Sequence, residues 1–180
     1  WAASATDTSL DLTLNGYQGG TGVTPVALTI TGAAATTQNI ASTTAANKVS
    51  TLTLGAQTNK VVVTGDKALT VSTDLVSSGG ATVLKTVDAS ATTGGVNIAL
   101  AATTNAAFAF TGGSGNDLLS ASTGANGRAD VLLGGEGNDT LNAGSNGAKL
   151  TGGAGNDLFV LTASTEEVNT YTSIQDFQAG

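Results

Sequence analysis

Apolar and polar residues alternate over short stretches through most of the chain, and Gly, Asn, Asp and Ser separate these stretches. Val26, Leu28 and Ile30 fall on one side of such a stretch, with Ala27 and Thr29 between them. A period of two is the pattern of a half-buried β-strand, in which successive side chains point to opposite faces. Residues 1–110 therefore predict a series of short strands.

Further strands are predicted around pairs of alternating apolar residues. They are Leu52 with Leu54, Val61 with Val63, Leu69 with Val71, the stretch 83–87, Val96 with Ile98 and Leu100, and Phe108 with Phe110. From Leu52 onward the strand centres lie roughly 8 to 14 residues apart, which fits either an antiparallel sandwich or an irregular solenoid. We favour the solenoid, because most linkers are longer than the tight turns of hairpins and the region continues directly into repetitive sequence.

Residues 112–160 can be divided into nine-residue units, apart from four inserted residues. Three of them are complete and fit the pattern G-G-x-G-x-D-x-U-x, in which U is a large apolar residue: 112–120, 134–142 and 152–160. This pattern is the calcium-binding repeat of RTX proteins. Two degenerate units lie between them, of which the first keeps its aspartate as Asp130 and the second has Ala148 there.

Each unit is expected to contain a turn followed by a strand. The glycines permit positive φ and close approach of backbones, and the last three residues form a short strand with U pointing inward. Two units make one coil, so the first, third and fifth units stack on one edge and the degenerate pair on the other. Four residues, 121–124, are inserted before the first degenerate unit.

The composition excludes most kinds of catalytic and metal-binding site and leaves oxygen atoms as the available metal ligands. The chain has no His and no Cys, which excludes imidazole and thiolate metal sites and the usual catalytic triads. Nothing selects a catalytic pair, so we expect no enzymatic activity. A net charge of −7 argues against nucleic acid as a partner, and no apolar run is long enough to insert in a membrane.

Calcium suits the remaining carboxylate and carbonyl oxygens. We predict at least two ions, one between the turns of Asp117 and Asp139 and one between those of Asp139 and Asp157, so that Asp139 serves both. The opposite edge, with Asp130 but Ala148, is expected to bind weakly or not at all. Asp176 is open to two interpretations, a calcium ligand near the end of the roll or a turn-forming aspartate.

The repeats resemble the RTX family of type I secreted proteins of Gram-negative bacteria, and residues 174–177 (IQDF) are similar to the I-x-D-F segment that often follows the last repeat. The resemblance implies a protein that folds on meeting millimolar calcium outside the cell. It also implies that the ligands are the repeat aspartates and turn carbonyls, here Gly112, Gly113, Ser114, Gly115 and Asp117; Gly134, Gly135, Glu136, Gly137 and Asp139; and Gly152, Gly153, Ala154, Gly155 and Asp157.

The resulting fold expectation is all-β, a right-handed parallel β-solenoid. Residues 1–110 would be its Thr/Ala-rich irregular part, 111–160 the RTX β-roll, and 161–180 a truncated post-repeat segment. We expect the chain to be a fragment, because RTX proteins continue beyond such a point toward a secretion signal.

The Thr/Ala/Val strands and the phrase VDASATTGGV at residues 87–96 resemble RTX-type bacterial surface-layer proteins. This resemblance implies a structural protein of the cell surface that assembles with copies of itself in a calcium-dependent lattice. The type I secretion machinery, acting on a region outside the fragment, and cell-surface polysaccharide are further expected partners. The alternatives are the accessory roll of a secreted protease or lipase, and an adhesin.

Overall fold

The computed structural model describes residues 8–17, 25, 27–30, 34–78, 84–100, 107–121, 129–145, 147–162 and 171–177. These residues form fifteen β-strands: β1 (Ser9–Asn15), β2 (Leu28–Thr29), β3 (Thr37–Thr43), β4 (Asn47–Leu54), β5 (Lys60–Gly65), β6 (Leu69–Ser77), β7 (Thr86–Thr92), β8 (Val96–Leu100), β9 (Ala109–Thr111), β10 (Leu118–Ser120), β11 (Asp130–Glu136), β12 (Thr140–Asn142), β13 (Ala148–Ala154), β14 (Leu158–Val160) and β15 (Ser173–Ile174). None of the described segments is a helix that could cross a membrane. Val26, Val83 and residues 122–124 of the predicted insertion lie outside the described residues.

The strands form two sheets, and the chain alternates between them. Odd-numbered strands make an eight-stranded sheet in the order β1-β3-β5-β7-β9-β11-β13-β15, and even-numbered strands make a seven-stranded sheet in the order β14-β12-β10-β8-β6-β4-β2. All neighbouring strands are parallel. Two successive strands therefore make one coil, as a parallel solenoid requires and an antiparallel sandwich does not. The right-handed sense of the coil stays a prediction.

The length of a coil follows the repeat pattern. Contacts between equivalent aspartates span 18 residues from Asp139 to Asp157 and 22 from Asp117 to Asp139. Two nine-residue units account for the shorter coil, and the insertion at 121–124 accounts for the longer one. The register of the roll is thus fixed by the spacing of its repeats.

A single apolar cluster fills the space between the two sheets and runs from Leu14 to Leu150. The inward position of the repeats is fully buried at Leu119, Leu132, Leu141 and Leu150, whereas Phe159 in the last coil is only partly buried. Phe108 and Phe110 are also buried and pack edge to face with ring centroids 6.2 Å apart. The core therefore continues from the predicted irregular solenoid into the repeats, and the three-part division of the chain stays a prediction.

Three strands, β1, β3 and β15, were not predicted. The alternation of Leu10, Leu12 and Leu14 is a sufficient signal for β1, and its omission was an error of pattern reading. In β3 the inward positions include Gln38 and Ser42, both buried, so the apolar period is interrupted. Gln38 is satisfied because its Nε2 donates to the carbonyl of Leu10, one coil earlier, at 2.8 Å.

The division of each repeat into a six-residue turn and a three-residue strand is wrong for two of the complete repeats. β11 and β13 continue through the first three residues of the second and third repeats, where Gly135 pairs with Gly153 and Glu136 with Ala154. A Cβ on Gly153 would overlap the carbonyl of Gly135. Glycine at these positions lets the two backbones come close enough to extend the pairing.

Candidate metal site

The three complete repeats turn on one edge of the solenoid, where the chain passes from the eight-stranded to the seven-stranded sheet. Their last residues form β10, β12 and β14, which are neighbours in the seven-stranded sheet. The degenerate repeats turn on the opposite edge, between β10 and β11 and between β12 and β13. The strand order therefore stacks the complete turns above one another, as the alternation of repeats predicts.

The repeat aspartates form a column along this edge. Oδ1 of Asp139 accepts a hydrogen bond from the backbone N–H of Asp117 at 2.9 Å, and Oδ1 of Asp157 accepts one from Asp139 at 3.0 Å. Strands of a sheet lie about 4.8 Å apart, so the carboxylates follow one another at about that interval. Asp117 and Asp139 are 3% and 1% exposed. Ionised carboxylates buried so close together cost free energy unless a cation or a proton compensates them.

The ionisation of the column shows this cost. Burial raises the pKa of Asp139 to about 6; the hydrogen bond from Asp117 opposes the rise, and the charges of Asp117 and Asp157 add to it. Burial also raises the pKa of Asp117, although hydrogen bonds from the backbone of Val96 and Gly113 act in the opposite direction. A divalent cation beside these carboxylates would stabilise their charged forms.

One carboxylate oxygen of the column is buried without a hydrogen-bond donor, and it is Oδ2 of Asp139. A Cβ placed on Gly134 would overlap both this oxygen and the carbonyl oxygen of Gly152 in the next turn. Both oxygens therefore lie close to each other and against Gly134, where only glycine fits. Hard cations such as calcium take carboxylate and carbonyl oxygens of this kind, so the residues present fit the predicted ion.

The same arrangement occurs one coil earlier. A Cβ on Gly112 would overlap Oδ2 of Asp117 and the carbonyl oxygen of Gly134. In both places the carboxylate of one turn faces the carbonyl of the first glycine of the next turn. Asp139 consequently reaches both of its neighbours, with Oδ1 on the backbone of Asp117 and Oδ2 beside Gly152. Its ligation of two ions stays a prediction.

The third residue of each complete turn makes its contacts to neighbouring coils through the backbone. The side chains at this position, those of Ser114, Glu136 and Ala154, are exposed. The N–H of Ser114 donates to the carbonyl of Thr92 at 3.0 Å, and the N–H of Glu136 donates to the carbonyl of Gly113 at 2.9 Å. The carbonyl of Ala154 accepts from Gly137 at 2.8 Å. The first bond ties the first turn to the preceding coil, and the other two tie successive complete turns together. The remaining turn glycines are stacked as well, because a Cβ on Gly137 would overlap the carbonyl of Gly115 and one on Gly155 that of Gly137.

Asp130 and Asp176 also accept hydrogen bonds across coils. Asp130 is buried on the opposite edge, where Oδ1 accepts from the N–H of Phe108 at 2.8 Å. Asp176 follows β15 and accepts from Gly152 at 3.1 Å and from Gly153 at 2.7 Å. The structure thus gives Asp176 a cross-coil contact that neither of its two interpretations included. Calcium ligation by Asp130 or Asp176 stays a prediction.

An asparagine column beside the aspartates was missed. Asn116 Oδ1 accepts the backbone N–H of Asn138 at 2.8 Å, and Asn138 Oδ1 accepts that of Asn156 at 2.8 Å. These bonds run in the opposite direction to the aspartate bonds, from the later coil to the earlier one. The signal was present in the sequence, because all three complete repeats carry Asn at their fifth position.

Side chains alone do not surround an ion at this edge. Among the described residues there is no group of three or more His, Cys, Asp or Glu side chains that could hold a metal. Calcium takes 6 to 8 oxygen ligands, backbone carbonyls among them. A site between two turns must therefore combine one or two aspartates with the carbonyls of the glycine turns.

Comparison with protein families identifies the repeat region. The family described as Peptidase M10 serralysin C terminal matches residues 82–180, more than half of the chain. The chain belongs to this family. The serralysin C-terminal match contains all three complete repeats and also β7, β8 and β9, which precede them. Searches of curated proteins and of solved structures gave no match.

Proposed function

We propose that this chain is the calcium-binding structural segment of a secreted bacterial protein. The observation that carries the proposal is Oδ2 of Asp139, which is buried without a donor beside the carbonyl of Gly152 in the next turn. RTX repeats of this pattern bind calcium, and the serralysin C-terminal match covers all of them. The ions would lie between successive complete turns.

Calcium binding would be coupled to folding outside the cell. Without the ion, the stacked carboxylates of Asp117, Asp139 and Asp157 repel one another, and burial raises the pKa values of Asp117 and Asp139. A preformed metal site does not exist in the unfolded chain, so binding free energy becomes folding free energy. A chain secreted unfolded would therefore complete its roll on reaching extracellular calcium.

Equilibrium dialysis of the chain against calcium tests the binding directly. We expect at least two ions per chain, one for each gap between complete turns. The matched control is the chain carrying Asp117→Asn, Asp139→Asn and Asp157→Asn, in which the acceptor oxygens remain and the charges are removed. No calcium uptake by the unaltered chain, or equal uptake by the two chains, would contradict the proposal.

The biological setting that we propose is a surface layer, in which copies of the parent protein assemble on the cell in a calcium-dependent lattice. The support is the length of the solenoid that precedes the repeats: β1 to β9 form continuous coils joined to the roll through one core. Such coils serve as a rigid structural element. The type I secretion machinery would export the parent protein, and cell-surface polysaccharide would be its attachment partner.

The second candidate is the accessory roll of a secreted peptidase. The family match favours it, because the family is described as a C-terminal region of peptidase M10 proteins. In this case the segment itself would have no catalytic role, and a peptidase domain would precede it in the parent protein.

Electron microscopy of the intact parent protein separates the two candidates. A two-dimensional lattice that forms with calcium and disperses with chelator is expected for the surface layer. Dispersed particles together with calcium-dependent proteolysis of casein would favour the peptidase and contradict the lattice.

A further inference from the structure

Two gaps separate the three complete turns. The lower gap lies between turn 112–117 and turn 134–139, and the upper gap lies between turn 134–139 and turn 152–157. Each gap has the same pair of oxygens, an aspartate Oδ2 from the turn below and the carbonyl of the first glycine from the turn above. Judged by these two oxygens alone, the two gaps would bind calcium equally well.

The backbone of the first turn differs from that of the other two. Gly135 and Gly137 have φ of 116° and 115°, and Gly153 and Gly155 have φ of 102° and 135°. The corresponding glycines of the first turn, 113 and 115, do not have positive φ. The second and third turns therefore share a conformation that the first turn lacks.

Hydrogen bonding of the aspartates follows this difference. In the first turn both oxygens of Asp117 are occupied, since Oδ1 accepts from Val96 and Oδ2 accepts from Gly113, each at 2.8 Å. In the second turn only Oδ1 of Asp139 accepts, from Asp117, and Oδ2 is buried without a donor. The carboxylate oxygen facing the lower gap is thus already bound, and the one facing the upper gap is free.

The coil beneath the first turn carries no repeat aspartate. At the place of the aspartate column this coil has Val96, and the coil before it has Leu69, which pairs with Val96. Neither side chain can bind a cation. The first turn instead packs on the Gly94-Gly95 turn, where a Cβ on Gly95 would overlap the carbonyl of Asn116. Backbone N–H groups satisfy both carboxylate oxygens of Asp117, whereas Oδ2 of Asp139 has no donor.

We infer that the two gaps take calcium in order, the upper gap first and the lower gap only after Asp117 has given up its bond from Gly113. This inference rests on the proposed calcium binding and concerns the ranking of the two sites. Asp117 then has two roles: it joins the first turn to the metal-free solenoid through Val96, and it is the weaker of the two carboxylates in calcium binding. The cost of freeing Oδ2 is that of a hydrogen bond to a charged group, so the two affinities should differ on the order of tenfold or more.

Calcium titration of the intact chain, followed by calorimetry and by NMR of backbone amides, tests the order. We expect a two-step isotherm. Amides of residues 134–157 should respond to the first equivalent of calcium, and the amide of Gly113 should shift only with the second. A single step with two equivalent sites, or a shift of Gly113 with the first equivalent, would overturn the inference.

A pair of matched variants adds an independent test, with the same substitution made one coil apart in the same column. Asp117→Asn should leave the first binding step within about twofold and weaken the second, whereas Asp139→Asn should weaken the first step by on the order of tenfold or more. Equal weakening of the first step by both variants would overturn the inference while leaving calcium binding intact. No binding by the unaltered chain would instead refute the proposed function itself.

Discussion

Oδ1 of Asp139 accepts the backbone N–H of Asp117 at 2.9 Å, while Oδ2 of the same carboxylate is buried without a donor. The side chain of Asp139 thus hydrogen-bonds to the coil below it and presents an unpaired carboxylate oxygen to the coil above. Asp157 makes the same contact with Asp139 at 3.0 Å. Each coil of the roll is therefore built on its predecessor, and the predictions below follow from this dependence.

The effect of pH on stability should change sign with calcium. In chelator the pKa of Asp139 is raised from about 3.8, the value of an ordinary aspartate, to about 6. The stability that Asp139 contributes is therefore fully present below about pH 3.8. It is lost as the pH rises through about 6. In calcium the ionised form is the proposed ligand, so protons should compete with the metal below about pH 6. Melting temperatures at pH 4.5 and 7.5, with and without calcium, measure both effects.

The control for this experiment is Asp139→Asn, which keeps an acceptor for the N–H of Asp117 and does not titrate. It is needed because the pKa values of Asp66 and Asp88 are lowered, mainly by hydrogen bonds from Lys67 and Ser90 respectively, and their effect on stability has the opposite sign. In chelator the variant should melt above the unaltered chain at pH 7.5 and close to it at pH 4.5. A difference that is independent of pH would contradict the role assigned to Asp139.

Asp139→Ala should reduce the stabilisation by calcium more than Asp130→Ala does. Both aspartates are buried and both accept a backbone N–H from the preceding coil, so in chelator each substitution should cost about 1–3 kcal/mol for the lost acceptor. Of these two aspartates, only Asp139 also lies beside the next complete turn, where its Oδ2 is close to the carbonyl of Gly152. The increase in melting temperature on adding calcium should therefore fall strongly in Asp139→Ala and stay close to that of the unaltered chain in Asp130→Ala. Equal increases in the two variants would rule out the assignment of the metal to the complete edge.

The asparagine column should stabilise the roll in a way that does not depend on charge. Asn138→Ala removes the acceptor for the N–H of Asn156 and should cost about 1 kcal/mol by urea denaturation. Asn138→Asp keeps an acceptor and adds a charge beside the aspartates. It should be more destabilising in chelator than in calcium, and an equal cost in the two conditions would show that this position does not sense the metal.

Close backbone approach should make Gly153 intolerant of any side chain. Its φ is 102°, and a Cβ there would overlap the carbonyl of Gly135. Gly16 is the matched control, because its φ of 65° is also positive but its Cβ would lie at an ordinary 3.5 Å from Ala45. Gly16→Ala should cost roughly 1–2 kcal/mol for the left-handed backbone alone, and Gly153→Ala should cost clearly more. Similar unfolding free energies would show that the turns are not stacked so tightly.

Much of the fold follows from the sequence because its signals are local and periodic. Leu119, Leu141 and Leu150 occupy the inward position of nine-residue units, and their burial follows from the period alone. The stacking of the complete turns follows from counting two units to a coil. β3 was missed because its buried Gln38 and Ser42 interrupt the apolar alternation, and only the carbonyls of neighbouring coils make polar residues acceptable there.

The candidate site was predictable in its residues and not in its asymmetry. The repeat pattern selects Asp117 and Asp139 equally, since each is the sixth residue of a complete unit. Their Oδ1 atoms are bonded alike, each to a backbone N–H of the preceding coil, and they differ at Oδ2, which accepts from Gly113 in Asp117 and has no donor in Asp139. The difference accompanies the backbone of the second glycine, which has positive φ at Gly135 and not at Gly113, and the motif has glycine at both places.

Circular dichroism and thermal melting of the chain with calcium, then with excess chelator, and then with calcium restored test the central claim most directly. Calcium-coupled folding predicts that chelation reduces the β-strand signal and lowers the melting temperature, and that added calcium restores both. If the strand signal and the melting temperature are unchanged by chelation, the roll folds without the ion and the account is contradicted.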